Sequence, residues 1–357
     1  MDRRSYLRAL GGVGLASGVA GCGLAESSRG VPPVPENRPD AVYYPSHVEG
    51  MEMVGGGSGG DYRAAVMYSY PHRFWNVNGR SVERTDIEPD DEVHLMASVW
   101  DPESGQVLPD TGLTIEIVEG DALVSQEVIY PMLSQPMGFH YGANFALDGD
   151  GDYTVRLAVG AVSTRRTGAF GDRSDAPATI EVPFEYRRSA REEISYRTVE
   201  RAGERGAVEP MGMETLPDSS VPEPSALPGT VVGTATSGDA VLVATVLDAP
   251  PTGVDGDGAY LAVSARTPYN RIVLPAMGLS ARLEREGTAA FEGELVRTLD
   301  PDLSYHYGAV VGAVRNGDEL TLTPTIPPQT ARHEGYETAF GGLNSEMTAA
   351  TVGVEGP

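Results

Sequence analysis

His140-Tyr141-Gly142 and His306-Tyr307-Gly308 stand 166 residues apart, and the offset extends well beyond those residues. It joins Val107-Leu108-Pro109 to Val273-Leu274-Pro275, Gly112-Leu113 to Gly278-Leu279, Gly151-Asp152 to Gly317-Asp318, and Arg166 to Arg332, without a gap. Self-similarity at a fixed spacing marks two copies of one fold. Around these landmarks the chain breaks into short alternating runs rich in Val, Tyr and Thr. In the first copy they cover 65–70, 92–100, 113–117, 153–159 and 178–186; in the second, 260–265, 279–283, 295–296, 308–314 and 319–325. Turn signals such as Asp101-Pro102, Asn78-Gly79 and the Asp-Gly run 148–152 separate them, and no long 3.6-residue period appears. That pattern predicts an all-β protein of two β-sandwich domains.

The expected divisions follow from composition. Residues 1–22 read as a twin-arginine lipoprotein signal: Arg3-Arg4, an apolar stretch too short to span a bilayer, then small residues before Cys22. Cys22 is the lone cysteine and the expected lipidation site, so disulfides, zinc–thiolate sites and thiol nucleophiles are excluded. Residues 23–40 read as a tether, 41–188 as the first sandwich, 189–229 (with five prolines) as a linker, 230–340 as the second sandwich, and 341–357 as a frayed tail. Residues 190–205 of the linker allow a short charged helix.

Formal charge is −25, and all 26 basic residues are arginine. Such an acidic surface stays hydrated in strong brine, where screening removes most self-repulsion, and it points to a halophilic host. The same field repels nucleic acid and anionic membrane surfaces, leaving the lipid anchor as the expected membrane attachment. The location implied is the outer face of the cytoplasmic membrane.

Six histidines carry the candidate chemistry: His47, His72, His94, His140, His306 and His333. Met51 and Met53 follow His47, while Met132 and Met137 precede His140. Imidazole and thioether without cysteine form a ligand set suited to copper, or to a weaker iron or zinc site. His47 and Glu49 lie two apart, on one face if the segment is extended, and offer a mixed site for iron. His72 lies in the aromatic run 70–75 and reads as core or rim. The Asp-rich run 148–152 lacks the spacing of a calcium loop and reads as a solvated turn. No Gly-x-Ser-x-Gly, His-Glu-x-x-His or phosphate-binding glycine loop is present, so a non-enzymatic role is expected.

Val93-His94-Leu95, Pro131-Met132 and His140-Tyr141-Gly142-Ala143-Asn144 together resemble a known family. It is that of the periplasmic, immunoglobulin-like iron-transport accessory proteins, which bind copper and assist high-affinity ferrous iron uptake. The likeness spans roughly 60–186 and, more faintly, 240–340. It implies immunoglobulin-like sandwiches, copper or iron as the ion bound, and an iron permease as partner. The family pattern has a His-Leu-Glu strand, a Met-Pro-Met turn, and a later Arg-His-x-Asp loop. Here Met96 stands in the place of the glutamate, and Met137 is a rival ligand because the step from Met132 to His140 is one residue longer.

The resemblance also implies a dimer whose fourth copper ligand comes from the partner subunit. In this chain the first copy reads Arg165-Arg166-Thr167 in that loop, without histidine, whereas the second reads Arg332-His333-Glu334. Conversely Tyr260 replaces His94 and Thr298 replaces Met132. An intramolecular pseudo-dimer would therefore assemble His94, Met132, His140 and His333 into one complete site. The reciprocal set, Tyr260, Thr298, His306 and Thr167, should be dead. Met96, Met137, His47 and Glu49 are weaker candidates. The expected function is metal binding linked to iron uptake. The alternatives are a structural lipoprotein with a vestigial site and a copper redox protein without thiolate.

Overall fold

In the computed structural model, which describes residues 32–355 apart from Glu214 and Asn344, the strand Ala178–Tyr186 shows how the alternation is used. Ile180, Val182, Phe184 and Tyr186 are buried, while Thr179, Glu181, Pro183 and Glu185 face solvent. Successive side chains of a strand point to opposite faces, so the apolar half of the pattern meets the second sheet. The first copy packs this strand, with Gly151–Val159, Leu113–Glu119 and Ala122–Gln126, against a larger sheet of eight strands. The second copy packs four strands, Thr288–Glu294, Gly278–Arg285, Glu319–Ile326 and Ala350–Gly353, against a sheet of six. Both copies are β-sandwiches, joined through one continuous apolar core. Among the described residues the only α-helix is Arg188–Glu193, shorter than the segment 190–205 allowed, and no helix is long and apolar enough to cross a membrane.

The conserved offset has a structural cause at the tyrosine of each His-Tyr-Gly. Tyr141 Oη donates to Leu108 O at 3.1 Å and accepts from Thr111 N at 3.1 Å. Tyr307 Oη donates to Leu274 O at 2.8 Å and accepts from Met277 N at 3.0 Å. Each hydroxyl pins the Val-Leu-Pro turn to the strand bearing the histidine, in the manner of a tyrosine corner. Losing it would orphan two buried backbone groups, at about 1–3 kcal/mol each.

The copies exchange a short strand. Ala331–Arg332, from the second copy, adds in parallel to Tyr130–Ser134 of the first, with Ala331 opposite Met132 and Arg332 opposite Leu133. Arg165–Arg166, from the first copy, adds in parallel to Val296–Asp300, with Arg165 opposite Thr298 and Arg166 opposite Leu299. These registers are related by the same 166-residue offset. The exchange therefore makes an internal pseudo-dimer in which each copy completes the other's larger sheet.

Three segments differ from their sequence reading. The end of the stretch read as a tether is packed down: Arg38 pairs with Glu337 at 3.1 Å, within a compact unit beginning at Pro33. The stretch read as a linker buries Val208, Val221 and Leu227, and its strand Tyr196–Thr198 pairs with His47–Glu49. Prolines there break regular structure without preventing burial. The tail read as frayed contributes Ala350–Gly353 as an edge strand beside Glu319–Ile326, anchored by buried Val354. The lipoprotein signal, Cys22 and residues 23–31 of the tether lie outside the described residues.

Candidate metal centre

His94 sits on Asp91–Trp100 and His140 on the neighbouring strand Gly138–Ala146. Both point away from the sandwich core, since Leu95 and Tyr141 take the inward positions. His333 follows the exchanged strand immediately, and its backbone N–H donates to Leu133 O at 2.9 Å. One ring nitrogen from each of these histidines lies within 4.8 Å of the others. His94 and His140 are fully buried; His333 keeps some exposure as a residue, yet its Nε2 is buried.

The protonation pattern is set by what each Nδ1 touches. His94 Nδ1 lies 2.8 Å from Asn144 Oδ1, and His140 Nδ1 lies 3.1 Å from Gly138 O. A carbonyl oxygen accepts, so Nδ1 carries the hydrogen and Nε2 presents its lone pair. The Nε2 atoms of His94, His140 and His333 are all buried without a hydrogen-bond partner among the described residues. Burial holds His94 at about 3 and His140 at about 4. It also drives His333 well below the ordinary range, with the neighbouring imidazoles adding to the effect. Three neutral imidazoles with partnerless Nε2 atoms lie buried in one cluster, an arrangement that costs about 1–3 kcal/mol per orphaned group and that a cation would relieve.

Met132 lies directly opposite His140 in the strand pairing. A side chain added at Gly142 would come within 3.1 Å of His94 Nε2 and 3.4 Å of Met132 Sδ, which places the thioether beside the imidazoles. The glycine of His-Tyr-Gly is thus kept for space. Asn144, the last residue of the His-Tyr-Gly-Ala-Asn run, orients the cluster. Its Oδ1 faces His94 Nδ1 and also accepts from His72 N, while its Nδ2 donates to His72 O. Partners of this kind fix the tautomer and raise ligand basicity. Asn144→Ala is expected to weaken metal binding by about 10–100-fold while leaving the stoichiometry unchanged, as competition titration would read.

His72, read from sequence as core or rim, lies against the cluster: its ring centre is 4.8 Å from that of His94 and 5.0 Å from that of His333. Its only advance signal was its residue type. His47 and Glu49 stand one step further out, with His47 Nε2 3.3 Å from Glu49 Oε1 and His72 Nε2 3.7 Å from Glu49 Oε2. Met96 and Met137 pack in an apolar cluster with Met67 and Trp100.

The exchanged loop explains how His333 is delivered. Arg332 is buried within its own copy and donates to Ala339 O and Phe340 O. Glu334 reaches into the first copy, pairing with Arg73 at 2.5 Å and accepting from Ser46 N at 2.7 Å. His333, between two anchored neighbours, has one direction left.

The reciprocal position is closed by Arg165. Its Nη2 donates to Thr298 Oγ1 at 2.7 Å, Tyr260 Oη at 2.8 Å and Gly308 O at 3.1 Å. Tyr260 Oη lies 3.0 Å from His306 Nε2, and His306 Nδ1 lies 2.9 Å from Ser304 O. Burial pushes the Tyr260 hydroxyl up, so it stays neutral and donates to the imidazole. The lone pair left bare on His140 is therefore satisfied on His306. Thr167, in the place of His333, turns to Asp300 at 2.7 Å. A guanidinium fills one member of the pair; Ala331, its counterpart at the other, leaves space.

Comparison with known proteins divides the chain in the same way. Residues 76–190 match the family described as Fe2+ transport protein. That span holds His94, Met132 and His140. Residues 225–349, which hold His333 and Arg332, match a family described as a domain of unknown function. No curated protein matches the chain. Among solved structures, FetP of uropathogenic Escherichia coli strain F11 is 21% identical, with a TM-score of 0.30, covering 38% of this chain and 96% of its own. A copper-bound variant of the same protein is 20% identical, with a TM-score of 0.29, covering 38% and 97%.

Proposed function

We propose that this protein is an extracytoplasmic metal-binding protein that assists iron uptake, holding copper at His94, His140 and His333 with Met132 beside them. The observation that carries this reading is the gathering of three buried imidazoles, each with an Nε2 that lacks a partner, beside a thioether. The residues fit copper: imidazole with thioether is a soft to borderline set, and the cluster itself contains no carboxylate. When bound, copper supplies a coordinating charge that pairs the three lone pairs. The chain's own residues do the rest: Asn144 and the Gly138 carbonyl hold the tautomers, and the sandwich excludes water. The family match over 76–190 supports the link to iron uptake.

Iron has its own candidate in Glu49, which lies between His47 and His72 and supplies the hard oxygen that Met96 does not. A lipid anchor at Cys22, delivered by the twin-arginine signal, would keep the protein at the outer face of the membrane beside an iron permease. The role is one of binding and delivery.

The test is calorimetric copper titration of the protein beside His333→Ala and His306→Ala. The parent is expected to bind one tight equivalent, His333→Ala to lose it, and His306→Ala to retain it. No tight equivalent in the parent would sink the reading and leave a structural pair of sandwiches.

A further inference from the structure

Five of the eleven methionines gather in one place. Met67 and Met96 are buried there, and Met51, Met137 and Met213 pack around them half-buried, with little else but Ala65, Trp100 and Leu216. We propose that this cluster is a second, weaker binding site, selective for monovalent soft copper, through which the ion reaches the buried histidines. The proposal rests on the copper reading of the histidine site.

Position is the first argument. Met96 follows His94 by two residues on the same strand, so both side chains leave the same face of the sheet. Met67 lies directly opposite Met96, and Ser69 directly opposite His94. The thioethers therefore continue the row on which His94 stands, out to the half-buried ring of Met51, Met137 and Met213. His94 and His140 are fully buried, so an ion reaches them only past less buried side chains, and the half-buried methionines of this face are such side chains.

The second copy supplies an internal control. By the offset, Met96 corresponds to Ala262 and Met137 to Leu303; by the strand pairing, Met67 corresponds to Thr245. The equivalent face, beside the position closed by Arg165, thus carries no methionine at these places. Packing alone would treat both copies alike. Methionine is present where the lone pairs are open and absent where they are closed. The remaining two, Met51 and Met213, come from segments outside the repeat and pack against this face.

Chemistry selects the ion. A group of neutral thioethers favours Cu(I) over harder divalent ions, and flexible methionines can rearrange around it. Held loosely, the ion passes on to imidazole, which binds it more tightly. No electron transfer is required, since copper arrives and leaves as Cu(I).

The test uses protein carrying 13C-methyl methionine, titrated with Ag(I) as a redox-inert soft-ion probe, in the parent and in His140→Ala/His333→Ala. Methyl signals of Met51, Met67, Met96, Met137 and Met213 are expected to shift in both proteins. Shifts confined to Met132, or none in the cluster, would overturn the proposal. A second variant, Met51→Leu/Met137→Leu/Met213→Leu, conserves side-chain volume. It is expected to keep one equivalent of Cu(II) at the histidines while loading of Cu(I) from a competing chelator slows by about tenfold, the loss of a soft first contact. Unchanged loading would contradict the path. If the methyls respond but no copper reaches the histidines in the parent, the proposed function fails and the methionine site stands.

Discussion

Ala331→Arg is expected to abolish copper binding without altering any of the histidines. Ala331 is the counterpart of Arg165, is buried, and packs with Met132 and Phe74. The reciprocal site shows where a guanidinium at this position goes: toward the counterparts of Thr298, Tyr260 and Gly308 O, which are Met132, His94 and Gly142 O. A fixed cation there both occupies the space and repels the ion. Loss of about 100-fold in affinity, near 2.8 kcal/mol, is a lower bound for putting a charge in place of the ligand. Because the reciprocal position already accommodates the arrangement, the variant should remain folded, which a thermal melt would show. The converse is Arg165→Ala combined with Tyr260→His, Thr298→Met and Thr167→His. It is expected to raise the copper stoichiometry from one to two. Undiminished binding by Ala331→Arg would mean that copper sits elsewhere.

Acid is expected to unfold the metal-free protein at a pH where its carboxylate-rich surface would otherwise be relieved of repulsion. His94, His140 and His306 are fully buried and held at about 3, 4 and 4, chiefly by desolvation. Unfolding restores each to about 6.5. Above that value both states are neutral and these groups contribute no pH dependence. Below it the unfolded chain takes up protons that the folded chain refuses, so stability falls with pH until the folded values are reached. At pH 5 each group costs about 2 kcal/mol, at 1.36 kcal/mol per unit, and the three together about 6 kcal/mol. That is comparable with the whole stability of a typical domain, about 5–15 kcal/mol. His72 and His333, also driven down by burial and by neighbouring imidazoles, add to it in the same direction. Denaturant titrations between pH 7 and 5 should show this loss in the metal-free protein, and copper, binding the folded state alone, should raise stability across the range without removing the slope. A flat profile would require the histidines to be solvated.

Much of this architecture was legible because duplication writes itself twice. The 166-residue offset is shared by the tyrosine, its turn and the exchanged Arg166 and Arg332, and the missing histidine of one copy is present in the other. The alternation in Ala178–Tyr186 gave its strand directly, since one face is buried along its length. What the sequence concealed depended on contacts between distant segments. Arg165–Arg166 and Ala331–Arg332 are two-residue strands, too short to carry any periodicity, and their exchange is visible only in space. Arg165 reads as an ordinary cation until its three acceptors are seen. His72 reaches the cluster because Asn144, 72 residues away, holds its backbone on both sides. The run 189–229 reads as a linker by its prolines, yet Val208, Val221 and Leu227 are scattered apolar anchors without a period.

The most direct test of the shared site is anomalous diffraction at the copper edge from crystals of the copper-loaded protein. A single strong peak is expected within bonding distance of Nε2 of His94, His140 and His333, and none beside His306. A peak at His306, or one that leaves His333 outside its coordination, would contradict it.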